Sequence, residues 1–176
     1  IAEEQRQIAE TQKHIVEEKN QEIMDSITYA KRLQEAILPP PRLVKEWLTD
    51  SFLFYRPKDI VAGDFYWMET IDVEIDGRKK TLIFFASADC TGHGVPGAFM
   101  TLISLNILNQ IIADGISTPT TILEQLHLRL QKRLNNQNGN SSKHGLDIAL
   151  CMIEDQKLTY SGVHIPLYLI RNGNLT

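Results

Sequence analysis

Thr81-Leu82-Ile83-Phe84-Phe85-Ala86-Ser87-Ala88-Asp89-Cys90-Thr91-Gly92-His93-Gly94-Val95-Pro96-Gly97 is the stretch on which the reading of this chain turns. An apolar run of strand length ends on an acid, passes a glycine turn and enters 97–112. That segment carries Phe99, Met100, Leu102, Ile103, Leu105, Ile107, Leu108, Ile111 and Ile112, and it is longer than a strand, so it predicts a buried helix. Upstream, short apolar runs at 52–55, 64–68 and 73–75 predict strands, the last closed by an Asp76-Gly77 turn. Downstream, Gly115 stops the helix and Thr118-Pro119 opens a second one, a cap followed by proline at the first helical position. Leu123, Leu126, Leu130 and Leu134 follow at helical spacing. The polar stretch 135–145 reads as a loop, and strands resume at 147–153, 158–161 and 167–171, ahead of an Asn172-Gly173 hairpin signal.

Residues 1–38 contain no Gly or Pro, and Ile1, Ile8 and Ile15 recur every seven positions. This is a coiled-coil seam, weakened because Glu4, Thr11 and Glu18 stand where its second apolar row belongs. The register then shifts to Ile23, Ile27, Ala30, Leu33 and Ile37, a broader amphipathic face. Two readings remain: a helix that pairs with a second copy and then packs on a domain, or a solvated linker with a few surface isoleucines. Pro39, Pro40 and Pro41 end the helix, since proline lacks an amide donor and biases its predecessor away from the α region. The expected division is a linker helix at 1–38 and a domain at 42–176.

The 176 residues include 22 acidic and 18 basic side chains, for a net charge of −4, which argues against nucleic acid as a partner. Cys90 and Cys151 sit in apolar surroundings and form no CxxC, so we expect two buried thiols in a reducing, cytoplasmic setting. The opening residues lack a signal-peptide pattern, and we find no continuous apolar run of membrane-spanning length. The chain opens inside a helical stretch and stops just after a hairpin signal. From this we expect an upstream sensor or membrane domain, which would anchor the parent, and a missing C-terminal side.

Two acids stand out by position. Asp64 opens the aromatic run Phe65-Tyr66-Trp67 after Ala62-Gly63, and Asp89 ends the apolar strand. Hard divalent cations take oxygen ligands, and two carboxylates with a backbone carbonyl are a common means of holding one. An aspartate that merely caps a turn is the alternative. Gly92, Gly94 and Gly97 have the spacing of a dinucleotide fingerprint, but Pro96 falls where the helix should begin and no acid follows a second strand. His93 has no nucleophilic Ser or Cys at recognisable spacing, and His164, beside Pro166, has less still to recommend it as a base.

Five blocks in order carry a resemblance: 26–39 (SITYAKRLQEAILP), 59–67 (DIVAGDFYW), 88–96 (ADCTGHGVP), 145–150 (GLDIAL) and 160–168 (YSGVHIPLY). Together they resemble the SpoIIE/RsbU-type PPM serine/threonine phosphatases of bacteria. The resemblance implies an α+β fold, a PPM-type β-sandwich flanked by helices, here incomplete and preceded by the long coiled-coil-like helix. It implies two Mn²⁺ or Mg²⁺ ions in the complete domain, with Asp64 and Asp89 matching metal-binding aspartates and Cys90 lending its backbone carbonyl. No side chain is the nucleophile; water activated by the metals attacks phosphorus. The resemblance implies a phosphorylated regulator protein as substrate and a linker helix that, as a homodimer, carries a signal from the sensor domain. Later metal aspartates of the family have no counterpart here, and Asp147 matches a different block. We therefore expect this chain by itself to be inactive or nearly so, and a non-catalytic, dimerising partner-binding module is the alternative.

Overall fold

The computed structural model describes residues 2–135 and 145–175, without the side chains of Ile75 and Asn135. The predicted loop at 135–145 lies almost entirely outside the described residues. The helix α1 (Ala2–Ile37) is followed by a short α2 (Pro41–Trp47). Next come β1 (Asp64–Ile75), β2 (Arg78–Cys90), α3 (Gly94–Ala113), α4 (Pro119–Asn135), β3 (Leu146–Glu154) and β4 (Lys157–Val163). A small hairpin, β5 (Ile170–Arg171) and β6 (Asn174–Leu175), closes the described chain. The fold is α+β.

β1 to β4 form one antiparallel sheet in chain order. The Asp76-Gly77 turn has positive φ at both residues, which matches the twist of the β1–β2 hairpin it joins. Alternation then divides the strands into two faces. Phe65, Trp67, Phe84, Ala86, Ala88, Ile148 and Leu150 are buried together with Ile107, Leu108 and Ile111 of α3 and with Ile122 and Leu126 of α4. α3 is apolar on nearly all sides because it meets the sheet, α4 and α1 at once. By length and composition it is apolar enough to cross a bilayer, yet it packs as a core helix. Its Asn109 Oδ1 accepts a hydrogen bond from Trp67 Nε1 at 2.7 Å, which satisfies the indole against the sheet.

The structure corrects several expectations. Residues 52–55 are apolar but form no strand, because no ladder partner stands beside them among the described residues. The strand predicted at 167–171 shrinks to its last two residues. Residues 64–75 make one strand rather than two. The proline run ends α1 and also begins α2, with Pro41 in the first turn, where a missing amide proton costs nothing. On α1 the domain-facing stripe is Ile27, Ala30 and Gln34, continued by Leu38 just past its end; Leu33 and Ile37, assigned to that face by pattern, are exposed. Ile8, Ile15 and Ile23 are exposed as well.

Candidate functional site

The face of the sheet turned away from α3 and α4 carries the polar groups. Asp64, the first residue of β1, is paired in register with Asp89 near the end of β2, and Asp89 is paired with Asp147 on β3. Directly opposed residues on antiparallel strands project to the same side. One row of three aspartates therefore crosses three adjacent strands at one end of the sheet.

The Asp64 and Asp89 carboxyls lie within hydrogen-bonding reach of one another. Partial burial is the main cause pushing the Asp89 carboxyl up, followed by that hydrogen bond, the Asp64 charge and the Asp147 charge. Two carboxyls whose charges oppose one another at this range are relieved by a cation placed between them. The donor set is all oxygen and so fits Mn²⁺ or Mg²⁺, with the Cys90 carbonyl on the strand beside it. Among the described residues no third Asp, Glu, His or Cys joins them closely enough to complete a cage. The Cys90 thiol points elsewhere: it is buried with Thr101 and Ser104 of α3, and burial is the main reason it rises to about 11. Only its main chain is available to the site.

The loop ahead of Asp64 is held from both sides. Gln34 of α1, itself buried, donates from Nε2 to the Ala62 carbonyl at 2.7 Å and accepts from the Ala62 amide at 2.9 Å. Thr101 of α3 donates to the Gly63 carbonyl at 2.7 Å. The glycines behind this loop serve close packing. A Cβ on Gly97 would meet the Gly92 carbonyl oxygen at 2.5 Å and the Gly63 Cα at 2.9 Å, and one on Gly63 would meet the Gly92 oxygen at 2.6 Å. This close approach of backbone to backbone accounts for the spacing that mimicked a dinucleotide fingerprint. Tyr55 donates to the Asp64 carbonyl at 3.1 Å and meets Tyr66 edge-on, with ring centroids 5.5 Å apart. Burial first, then Asp64, lifts the Tyr55 phenol to about 12. A groove of about 650 Å³ runs from Asp64 and Asp89 along the same face, lined by residues that include Phe54, Met68, Phe85 and Leu167.

Two histidines flank the row. His93 stands at the N-cap of α3, with Nδ1 3.0 Å from Asp59 Oδ2. His164, just past β4, has Nδ1 2.8 Å from Asp147 Oδ1. Sequence reasoning gave Asp147 and His164 no role. Their contact depends on the β3–β4 pairing, and the only local hint was that both lie in blocks carrying the family resemblance.

The family described as Stage II sporulation protein E (SpoIIE) matches residues 79–176, more than half of the chain, which include Asp89, Asp147 and His164 but not Asp64. The fold is similar to a solved structure described as the SiaA-PP2C domain of Pseudomonas aeruginosa, at 30% sequence identity and a TM-score of 0.68. The likeness covers 85% of this chain and 57% of that one, so the chain spans a little over half the length of that structure. No curated protein matches the chain closely.

Proposed function

We propose, on the premise that the chain belongs to the SpoIIE family of PPM-type phosphatases, that it is part of a metal-dependent enzyme removing phosphate from phosphoserine or phosphothreonine of a partner regulator protein. The observation that carries this reading is the in-register pair Asp64 and Asp89, whose carboxyls lie against one another at the end of the sheet. Asp64, Asp89 and the Cys90 carbonyl would hold the cation. A divalent ion held there supplies charge neutralisation at phosphoryl oxygens and makes water nucleophilic near neutral pH. Asp64 is kept in place by the Gln34 and Thr101 clamps on the two residues before it.

Control by an upstream sensor domain belongs to the same proposal. Gln34 lies on the linker helix, so any displacement of α1 along its axis pulls directly on the backbone that bears Asp64. The exposed Ile8, Ile15 and Ile23 are available for pairing with a second copy. Two buried, unpaired thiols suit a reducing, cytoplasmic setting. The incomplete cage favours little activity from this chain by itself, and the non-catalytic dimerising reading rests on the same gap. Manganese-dependent hydrolysis of a phosphoserine peptide tests the proposal. A longer chain with the remaining family acids turns over, this chain does so at least about 10²-fold more slowly, and Asp89→Asn abolishes turnover in the longer chain. Metal-independent hydrolysis, or full activity in the Asp89→Asn variant, would refute it.

A further inference from the structure

The aspartate row does not end at Asp147. That residue accepts a hydrogen bond from His164, whose ring is largely exposed and whose backbone is in the left-handed region at φ 60. A carboxylate can only accept, so the proton of this bond sits on His164 Nδ1, and Nε2 stands outside it. Asp147 is the cross-strand partner of Asp89, and its charge acts on Asp89. The imidazole thus belongs to the same end and the same face of the sheet as the Asp64–Asp89 pair. Asp76, Asp155 and Asn172 also have positive φ but sit in hairpin turns, whereas His164 takes this conformation just past a strand. His93 differs: its partner Asp59 comes from the loop before β1 and lies outside the row.

We infer that His164, oriented by Asp147, is the proton donor to the serine or threonine oxygen that leaves phosphorus. This rests on the phosphatase reading above. As the water oxygen bonds to phosphorus, the ester P–O bond breaks and its electron pair stays on the side-chain oxygen. The ring reacts as the imidazolium: its Nε2 proton passes to that oxygen while Nδ1–H stays with Asp147, and Nε2 is reprotonated by the proton that the attacking water gives up. Asp147 is a positioning residue, since it acts through the imidazole. Alkoxides of serine and threonine are poor leaving groups and need this proton; a nitrophenolate does not.

The test compares leaving groups in the longer chain that carries the remaining family acids, with Mn²⁺, using a phosphoserine peptide and p-nitrophenyl phosphate. The informative variant is His164→Asn, because asparagine accepts the left-handed backbone. It is expected to lower kcat on the peptide on the order of 10²-fold and to leave the nitrophenyl ester within about twofold of wild type. Asp147→Asn shows the same selectivity with a smaller loss. Equal losses on both esters, or none on the peptide, overturn the proposal. A wild type inactive on both esters overturns the phosphatase reading instead, and this inference falls with it. A readout independent of turnover is the ¹⁵N spectrum of the metal-free chain. It should show a hydrogen-bonded Nδ1–H on His164 that Asp147→Asn removes, and a wild-type ring with Nδ1 unprotonated would contradict the assignment.

Discussion

The two faces of the four-stranded sheet are cut from alternate residues of the same strands, and they do opposite work. On the helix-covered face Phe84 and Leu150 have no exposed surface and meet Ile107, Leu108 and Ile111 of α3. On the other face Asp64, Asp89 and Asp147 stand side by side, like charges on neighbouring strands, an arrangement that weakens a sheet. The first face buries apolar area and supplies stability. The second spends some of it to hold oxygen donors together. A period of two lets one short strand such as β2 serve both, with Ala88 and Cys90 packing inward while Asp89 between them faces the groove.

If this division is right, damage to each face has its own signature. Phe84→Ala should produce the largest change, a loss of about 3–5 kcal/mol in unfolding free energy measured by denaturant, because it opens a cavity where the sheet meets α3. The folded remainder should keep its response to Mn²⁺. A lost metal response in the folded fraction would show that the faces are not separable. Gln34→Ala blurs the boundary on purpose. It leaves the buried Ala62 amide without a partner and its carbonyl with only the longer bond from Thr101, at a cost of about 1–3 kcal/mol, and it also loosens the backbone beside Asp64, so manganese affinity should fall with stability. Calorimetric titration checks this, and unchanged affinity would remove α1 from any control of the site.

The smallest stability effect concerns the acid pair itself. With its folded value raised, Asp89 keeps a proton on folding that the unfolded chain has already released. Metal-free stability therefore declines as pH climbs from the ordinary carboxylate range through the raised value of Asp89. Because Asp89 is exposed to solvent that screens the repulsion, the gain from neutralising it is held to about 1 kcal/mol.

Much of this was legible in residue patterns. The strand ending at Asp89, the helix after it, the Thr118-Pro119 helix start and both Gly-containing hairpin turns follow from period, length and turn chemistry. What was not legible depends on contacts distant in sequence. Residues 52–55 have strand composition, but a strand exists only with a partner, and composition cannot show that none is beside them. A glutamine at position 34 interrupts an apolar stripe on α1, and its reason, the Ala62 backbone 28 residues away, appears only once the helix is docked. Leu33 and Ile37 fit the expected face by spacing, whereas the helix docks through the neighbouring stripe. Asp64 and Asp89 could be singled out by position, but Asp147 and His164 acquire meaning only when β3 takes its place beside β2 and β4.

The central claim is that Asp64 and Asp89 converge to hold a divalent cation. Thermal unfolding of wild type and Asp89→Asn, each with and without Mn²⁺ at neutral pH, tests it in one experiment. The account predicts that manganese raises the wild-type midpoint, and that the variant is slightly more stable than wild type without metal and gains nothing when metal is added. Equal stabilisation of both proteins by Mn²⁺ would contradict it.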